Sequence, residues 1–327
     1  MDKMYEEYFK SVDKKFRCIS EGFIEALKKE TGILNPILET VKADRSLMLF
    51  IRENYINIYY NGGSIMKITE NTEGERYTVE FDKNYLKEYE VVLPKYEISD
   101  NKDAAKATEW KKVLPEIKHA MALFINAGER TYQQLVCREN NRSKISNDTD
   151  YFIVDMEYCV PLKDKNPEID MIAVKWSATS QDRKRQDDEG FKTVSLAFIE
   201  MKYGDKAIDG TAGLKVHLDD MIKIFDEDKL ESIRNRAEFQ LNTLNYLGLI
   251  DHKNPECKFR VILPALPEYI MLLANTASKK DVFKDAIKHY DNFAKKHFEL
   301  KFFVASYAGY GLFEHCMLNA EDFKKIL

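Results

Sequence analysis

The run Val194 to Tyr203, VSLAFIEMKY, constrains the fold more than any other stretch of the chain. Val194 through Ile199 is almost wholly apolar, and a short run of that kind predicts a strand covered on both faces of a sheet. Side chains alternate along a strand, so Glu200 and Lys202 share one face while Ile199 and Met201 take the other. A buried strand that delivers a carboxylate and an ammonium at its exit is a candidate site. Glu-x-Lys also occurs at Glu109, Glu116, Glu227, Glu256 and Glu299, but only at Glu200 does it end an apolar strand.

The 327 residues suffice for one large domain or two modest ones, and 44% hydrophobic with 12% aromatic content is that of a globular protein despite 32% charged residues. Fifty basic residues against 55 acidic ones leave a net charge of −5, so any contact with phosphate must come from a local patch. Five scattered cysteines without a C-x-x-C pair read as reduced structural thiols. No apolar run is long enough for a membrane span, and the N-terminus MDKMYEEYFK is too charged for a secretory signal; the expected compartment is the cytoplasm, without a membrane partner.

Apolar side chains at helical spacing from Tyr5 to Leu27 predict one amphipathic helix ending near Gly32. The period then becomes two in LMLFIR, YINIYY, SIMKIT and RYTVEF, with Asn61-Gly62 as a hairpin signal. Residues 1–105 therefore read as a small helix-plus-β-meander module, with the polar ISDNKDAAKAT at Ile98 to Thr108 as the linker. Residues 106–327 read as an α/β domain: two helical segments broken near Gly128, the strands YFIVDMEYCV and EIDMIAVKW, the organising strand, helices from Leu214 to Tyr246, and further strands in FRVILPAL, YIMLLAN and KFFVASY around an amphipathic helix. The result is a mixed sheet flanked by helices.

Asp155 and Glu157 in YFIVDMEYCV and Asp170 in EIDMIAVKW are acids inside strands, where they are costly to bury unpaired. A shared cation gives them a reason. If the Asp170 and Glu200 strands form an antiparallel hairpin, Asp170, Glu200 and Lys202 converge at one end. Carboxylates with a water-filled position suit Mg²⁺, for which Mn²⁺ can substitute. Such an ion polarises a phosphoryl oxygen and generates hydroxide, and a neighbouring lysine orients that water or offsets charge developing on phosphorus. Asp155 and Glu157 share a face, and either can join the metal or stand as an edge-strand charge in solvent.

Asp170, a gap, and Glu200-Met201-Lys202 on the next strand, within an order of helix, three strands, helix and strand, resemble the PD-(D/E)XK phosphodiesterase superfamily of restriction-endonuclease-like folds. The resemblance covers roughly Trp110 to Leu327. It implies that Asp170 and Glu200 bind metal, that Lys202 is the catalytic lysine, and that Glu129 in GERTYQQL is the acid supplied by the preceding helix. Ile169 stands where the motif's proline would be, and the helix after Lys202 shows no Q-x-x-x-Y.

The hairpin geometry sends Arg183 and Arg185 to the far end, about 20 Å from the acids for strands of six or seven residues, where they grip flanking phosphates or only solubilise the loop. Lys206, in the glycine-rich GDKAIDGTAG, is a candidate phosphate contact. His217, with Asp220 one helical turn on, reads as an acid or base, a phosphate partner, or a packed core histidine. Phe50, Tyr55, Tyr59 and Tyr60 can stack on bases or simply on one another. The expectation is a metal-dependent nuclease whose partner is nucleic acid, DNA above RNA, with a homodimer suited to double-strand cutting. The rivals are an inactive nuclease fold that binds nucleic acid or a protein, and an interaction module in which the acids only form salt bridges.

Overall fold

A computed structural model of the chain describes residues 3–72, 76–81, 96–98, 104–123, 128–143, 145–251, 257–276, 280–305, 311–312 and 314–326. It is a mixed α/β structure with two sheets, divided into two compact units. The first comprises Met1–Arg138 and Phe239–Lys258, and the second Glu139–Glu238 and Phe259–Leu327. The chain passes between the units three times, inside helices at 138/139 and 238/239 and at the start of a strand at 258/259, whereas the sequence reading puts a single boundary at 105/106. Of the expected linker, residues 99–103 lie outside the described residues and 104–108 are helical.

In the first unit the helical N-terminus is split. Helix α1 spans Lys3–Ser11 and α2 Glu21–Lys28, with a short 3-10 turn at Lys14–Phe16 between them. The apolar period runs on through the break, but local side chains stop the helix. Asp13 accepts the N–H of Lys15, Arg17 Nε donates to the Val12 carbonyl, and Ser20 caps α2 by accepting the N–H of Phe23 at 2.9 Å. Helix α3, Asn35–Ala43, follows with a proline in its first turn.

Strands β1 (Met48–Arg52), β2 (Tyr55–Tyr60), β3 (Gly63–Thr72), β4 (Arg76–Phe81) and β5 (Tyr96–Ile98) then form an antiparallel meander in chain order. Asn61 and Gly62 make the β2–β3 turn with φ of 49° and 83°, the positive values a twist-compatible two-residue hairpin needs. Phe50 and Tyr59 are buried in edge contact at 5.6 Å, Lys67 covers the ring of Tyr55 and Lys118 that of Tyr60.

Helices α4 (Ala104–Leu123) and α5 (Gly128–Asn141) come next. The side chain of Gln134 on α5 accepts the Gly62 N–H at 2.6 Å and donates to the carbonyls of Ser46 and Tyr59, tying the hairpin turn to the helix.

The second unit is built on a sheet of order β12-β11-β10-β8-β7-β6, with β9 also pairing β8. Strands β6 (Tyr151–Cys159), β7 (Glu168–Lys175) and β8 (Phe191–Tyr203) are antiparallel neighbours. After the helices α6 (Ser180–Lys184), α7 (Leu214–Asp226) and α8 (Leu230–Tyr246) come β9 (Lys258–Ile262) and β10 (Glu268–Ala274). Strand β10 runs parallel to both β8 and β11 (Glu299–Ala305).

Helix α9 (Lys280–His289) leads into a π-helical turn at Tyr290–Ala294, and β12 (Leu318–Asn319) and α10 (Ala320–Ile326) complete the unit. Phe198, Ile199 and Met201 of β8 have no exposed surface, as two-sided covering of an apolar strand requires. Among the described residues no helix is long and apolar enough to cross a membrane. The five cysteines carry no disulfide.

Candidate active site

Strand register decides which side chains meet. Strand β7 pairs with β8 as far as Met171 opposite Ile199, so the next position sets Asp170 opposite Glu200. The regular ladder stops there. Asp170 Oδ2 instead accepts the N–H of Met201 at 2.7 Å, serving as the acceptor that a strand carbonyl would otherwise provide. On β6, Met156 faces Met171 and Tyr158 faces Ile169, which leaves Glu157 opposite Asp170. Glu157, Asp170 and Glu200 thus form a row across three strands, and Lys202 lies two residues beyond Glu200 on the same face.

The members of this row differ in setting. Asp170, Glu200 and Lys202 are buried, with Glu200 only 1% exposed. Glu157 is half-buried, and its φ of 54° sets it outside ordinary strand geometry. Asp155 is fully buried opposite Ile172 and accepts the N–H of Met156 at 2.8 Å, so this acid serves the local backbone beside an irregularity in the β6 ladder.

Glu200 and Lys202 form an ion pair at 2.7 Å, and His217 of α7 brings Nδ1 to 2.9 Å from the same Glu200 Oε1. The other ring nitrogen, Nε2, lies 3.0 Å from Lys202 Nζ. Burial opposes ionisation of Glu200, but the hydrogen bond from His217 and the charge of Lys202 override it and hold the carboxyl below its ordinary range. Burial first, and then the charges of Glu200 and Asp170, push the hydroxyl of Tyr269 on β10 well above its ordinary value, so it stays protonated.

Glu129, in the first turn of α5, belongs to the first unit. Lys206 is exposed in the turn after β8. Arg183 sits 4.0 Å over the Trp176 ring and donates to the carbonyls of Ser177 and Thr149; burial lowers its pKa to about 10. Its guanidinium is a strut within the unit. Arg185 is exposed. It lines a cavity of about 670 Å³ beyond the far end of the β7–β8 pairing, together with Trp176, Asp182, Asp187, Asp188 and Ser195. Three carboxylates against two cations, Arg185 and Lys175, leave the lining net acidic, which disfavours a phosphate chain there. Asp220 pairs with Lys165.

Sequence reasoning missed a second cluster at the opposite end of the sheet. Glu268, which opens β10, receives Lys301 at 2.7 Å, Lys175 at 3.0 Å and the hydroxyl of Tyr151, while Lys175 also meets Glu314. Its residues come from five separated segments, and the only signal is that Lys175, Glu268 and Lys301 stand near the ends of apolar strands.

Among the described residues no three His, Cys, Asp or Glu side chains are poised together as metal ligands. Mg²⁺, however, uses only one or two carboxylates and keeps several waters, so the donor set of Asp170 and Glu200 suits it. Both close contacts to Glu200 fall on Oε1. No protein-family model matches the chain, and no curated protein or solved structure was found to match it.

Proposed function

We propose that the chain is a metal-dependent nuclease of the PD-(D/E)XK kind, with a restriction-endonuclease-like second unit that hydrolyses phosphodiester bonds, DNA being the favoured substrate. The observation that carries this reading is the convergence of Asp170, Glu200 and Lys202 on one sheet face, with the two acids opposed in register. An interaction module that uses its acids only for ion pairs has no need to set two buried carboxylates side by side, since like charges in low dielectric are costly.

In this reading Asp170 and Glu200 hold Mg²⁺ or Mn²⁺, which when bound supplies Lewis acidity toward a phosphoryl oxygen and an acidified water. Lys202 orients the attacking water or offsets charge on the non-bridging oxygens. The water oxygen bonds to phosphorus as the bridging P–O bond breaks, and no covalent enzyme intermediate forms. Exposed Lys206, just past the strand exit, is the cation best placed in sequence to meet the flanking backbone.

The test is cleavage of plasmid, linear duplex, single-stranded DNA and RNA with Mg²⁺ or Mn²⁺, comparing wild type with Lys202→Ala and including EDTA controls. Metal-dependent cutting that vanishes in the variant is the expected result. If the wild type cuts nothing and calorimetry detects no Mn²⁺ binding, the catalytic reading fails.

A further inference from the structure

We infer that His217 is a positioning residue that holds Lys202 and Glu200 in one closed triangle and so orients the Glu200 carboxylate for a divalent cation. The consequence for metal binding rests on the proposed nuclease site, but the geometry stands without it. The three contacts of the triangle are Lys202 Nζ to Glu200 Oε1 at 2.7 Å, His217 Nδ1 to the same oxygen at 2.9 Å, and Lys202 Nζ to His217 Nε2 at 3.0 Å.

Donor and acceptor chemistry fixes the roles. A carboxylate oxygen only accepts and an ammonium only donates. Nδ1, facing the carboxylate, therefore carries the proton, and Nε2, facing the ammonium, offers its lone pair. With both ring nitrogens engaged inside the unit, none remains for a phosphate or an attacking water, so His217 acts through its neighbours rather than on substrate.

The sequence places His217 to do this. The turn after β8 ends at Gly213, where a Cβ would come within 2.8 Å of the Asp209 backbone, so the chain can pass tightly into α7 only with glycine there. His217 then stands in the second turn of α7, while Leu214, Leu218 and Met221 bury the helix's apolar face. The imidazole is about one-fifth exposed, against 2% for the Glu200 side chain, and so covers the buried pair from the solvent side.

The experiment uses the full chain. With ¹⁵N-histidine label and no metal, long-range ¹H–¹⁵N spectra, assigned with His217→Gln, are expected to show His217 protonated on Nδ1 and bare on Nε2. Lys202→Met should shift the Nε2 resonance. Protonation on Nε2, or an Nε2 resonance that ignores Lys202→Met, overturns the inference. Mn²⁺ calorimetry forms the second arm. His217→Ala should weaken affinity about 10- to 100-fold, the usual cost of losing a partner that orients a ligand. His217→Gln, which keeps one donor and one acceptor, should recover much of that loss. Equal affinity in wild type and the folded Ala variant overturns the inference. If the wild type binds no Mn²⁺ at all, the nuclease reading falls, and the nitrogen spectra still decide whether His217 holds the pair.

Discussion

Replacing Lys202 by methionine removes one charge of a buried pair while keeping most of the side-chain volume. The side chains of Lys202 and Glu200 are 4% and 2% exposed, so solvent screening, which reduces surface pairs to about 0–1 kcal/mol, does not apply. Stranding one partner of such a pair costs about 3–5 kcal/mol. His217 still donates to Glu200 in the variant, and a hydrogen bond to a charged group contributes about 1.5–3 kcal/mol, so the lower end of that range, about 3 kcal/mol, is expected. Glu200→Gln alone should also destabilise, because it strands the ammonium.

The double variant Lys202→Met with Glu200→Gln leaves no unpaired charge and should lie within about 1 kcal/mol of wild type, giving a coupling energy well outside additivity. The chain contains two tryptophans, Trp110 and Trp176, and Trp176 belongs to the second unit; a Trp110→Phe background makes its fluorescence a reporter of that unit alone. With urea m-values of about 1–3 kcal/mol/M, the single variants should unfold about 1–3 M earlier. A loss below about 0.5 kcal/mol in Lys202→Met would refute the buried pair and with it the geometry of the site.

Three further outcomes are expected. Glu268 titrates below its ordinary range, because the hydrogen bonds from Lys301 and Tyr151 override burial. Its stabilisation is complete above the unfolded carboxyl value of about 4.3 and is lost as pH falls through the lower folded value, so Glu268→Gln should flatten the acid side of the unit's urea-midpoint profile. Gly62→Ala should cost more than about 2 kcal/mol in thermal unfolding, since φ is +83° and the new Cβ would lie 2.5 Å from the Arg130 backbone; Gly190→Ala, with φ of +80° and open space, should cost only about 1–2 kcal/mol. Arg183→Ala should lower stability without altering the salt dependence of DNA binding, whereas Lys206→Ala should leave stability unchanged and reduce the slope of log K against log salt by about 1.

What could be read from the sequence was what short-range pattern encodes. The two-sided apolar run of β8, the period-two strands of the meander and the Asn61-Gly62 turn all appear at the expected places, because burial and turn chemistry act over a few residues. The Asp170–Glu200 opposition followed from assuming a hairpin and counting. Where local capping competes with periodicity, as at Asp13 and Ser20, the apolar spacing misled. The fate of Arg183 was hidden because Trp176, seven residues earlier, had to be known to lie under its guanidinium. The Glu268 cluster was hidden for the same reason on a larger scale: Tyr151, Lys175, Lys301 and Glu314 meet it only through sheet order.

The return of Phe239–Lys258 to the first unit governs how the chain can fold as it is made. Gln240 donates to the Ile51 carbonyl, Asn245 to Tyr5, and Phe9 packs against Phe239 and Tyr246. On the ribosome, residues 1–138 therefore emerge with an aromatic face whose cover is encoded up to 120 residues downstream, at Lys258. At about 5–20 residues per second that is a wait of roughly 6–24 s. During that interval residues 139–238 are already out, so the second unit begins to form before the first can close, and a nascent chain halted between the two stretches presents the Phe9 surface to chaperones.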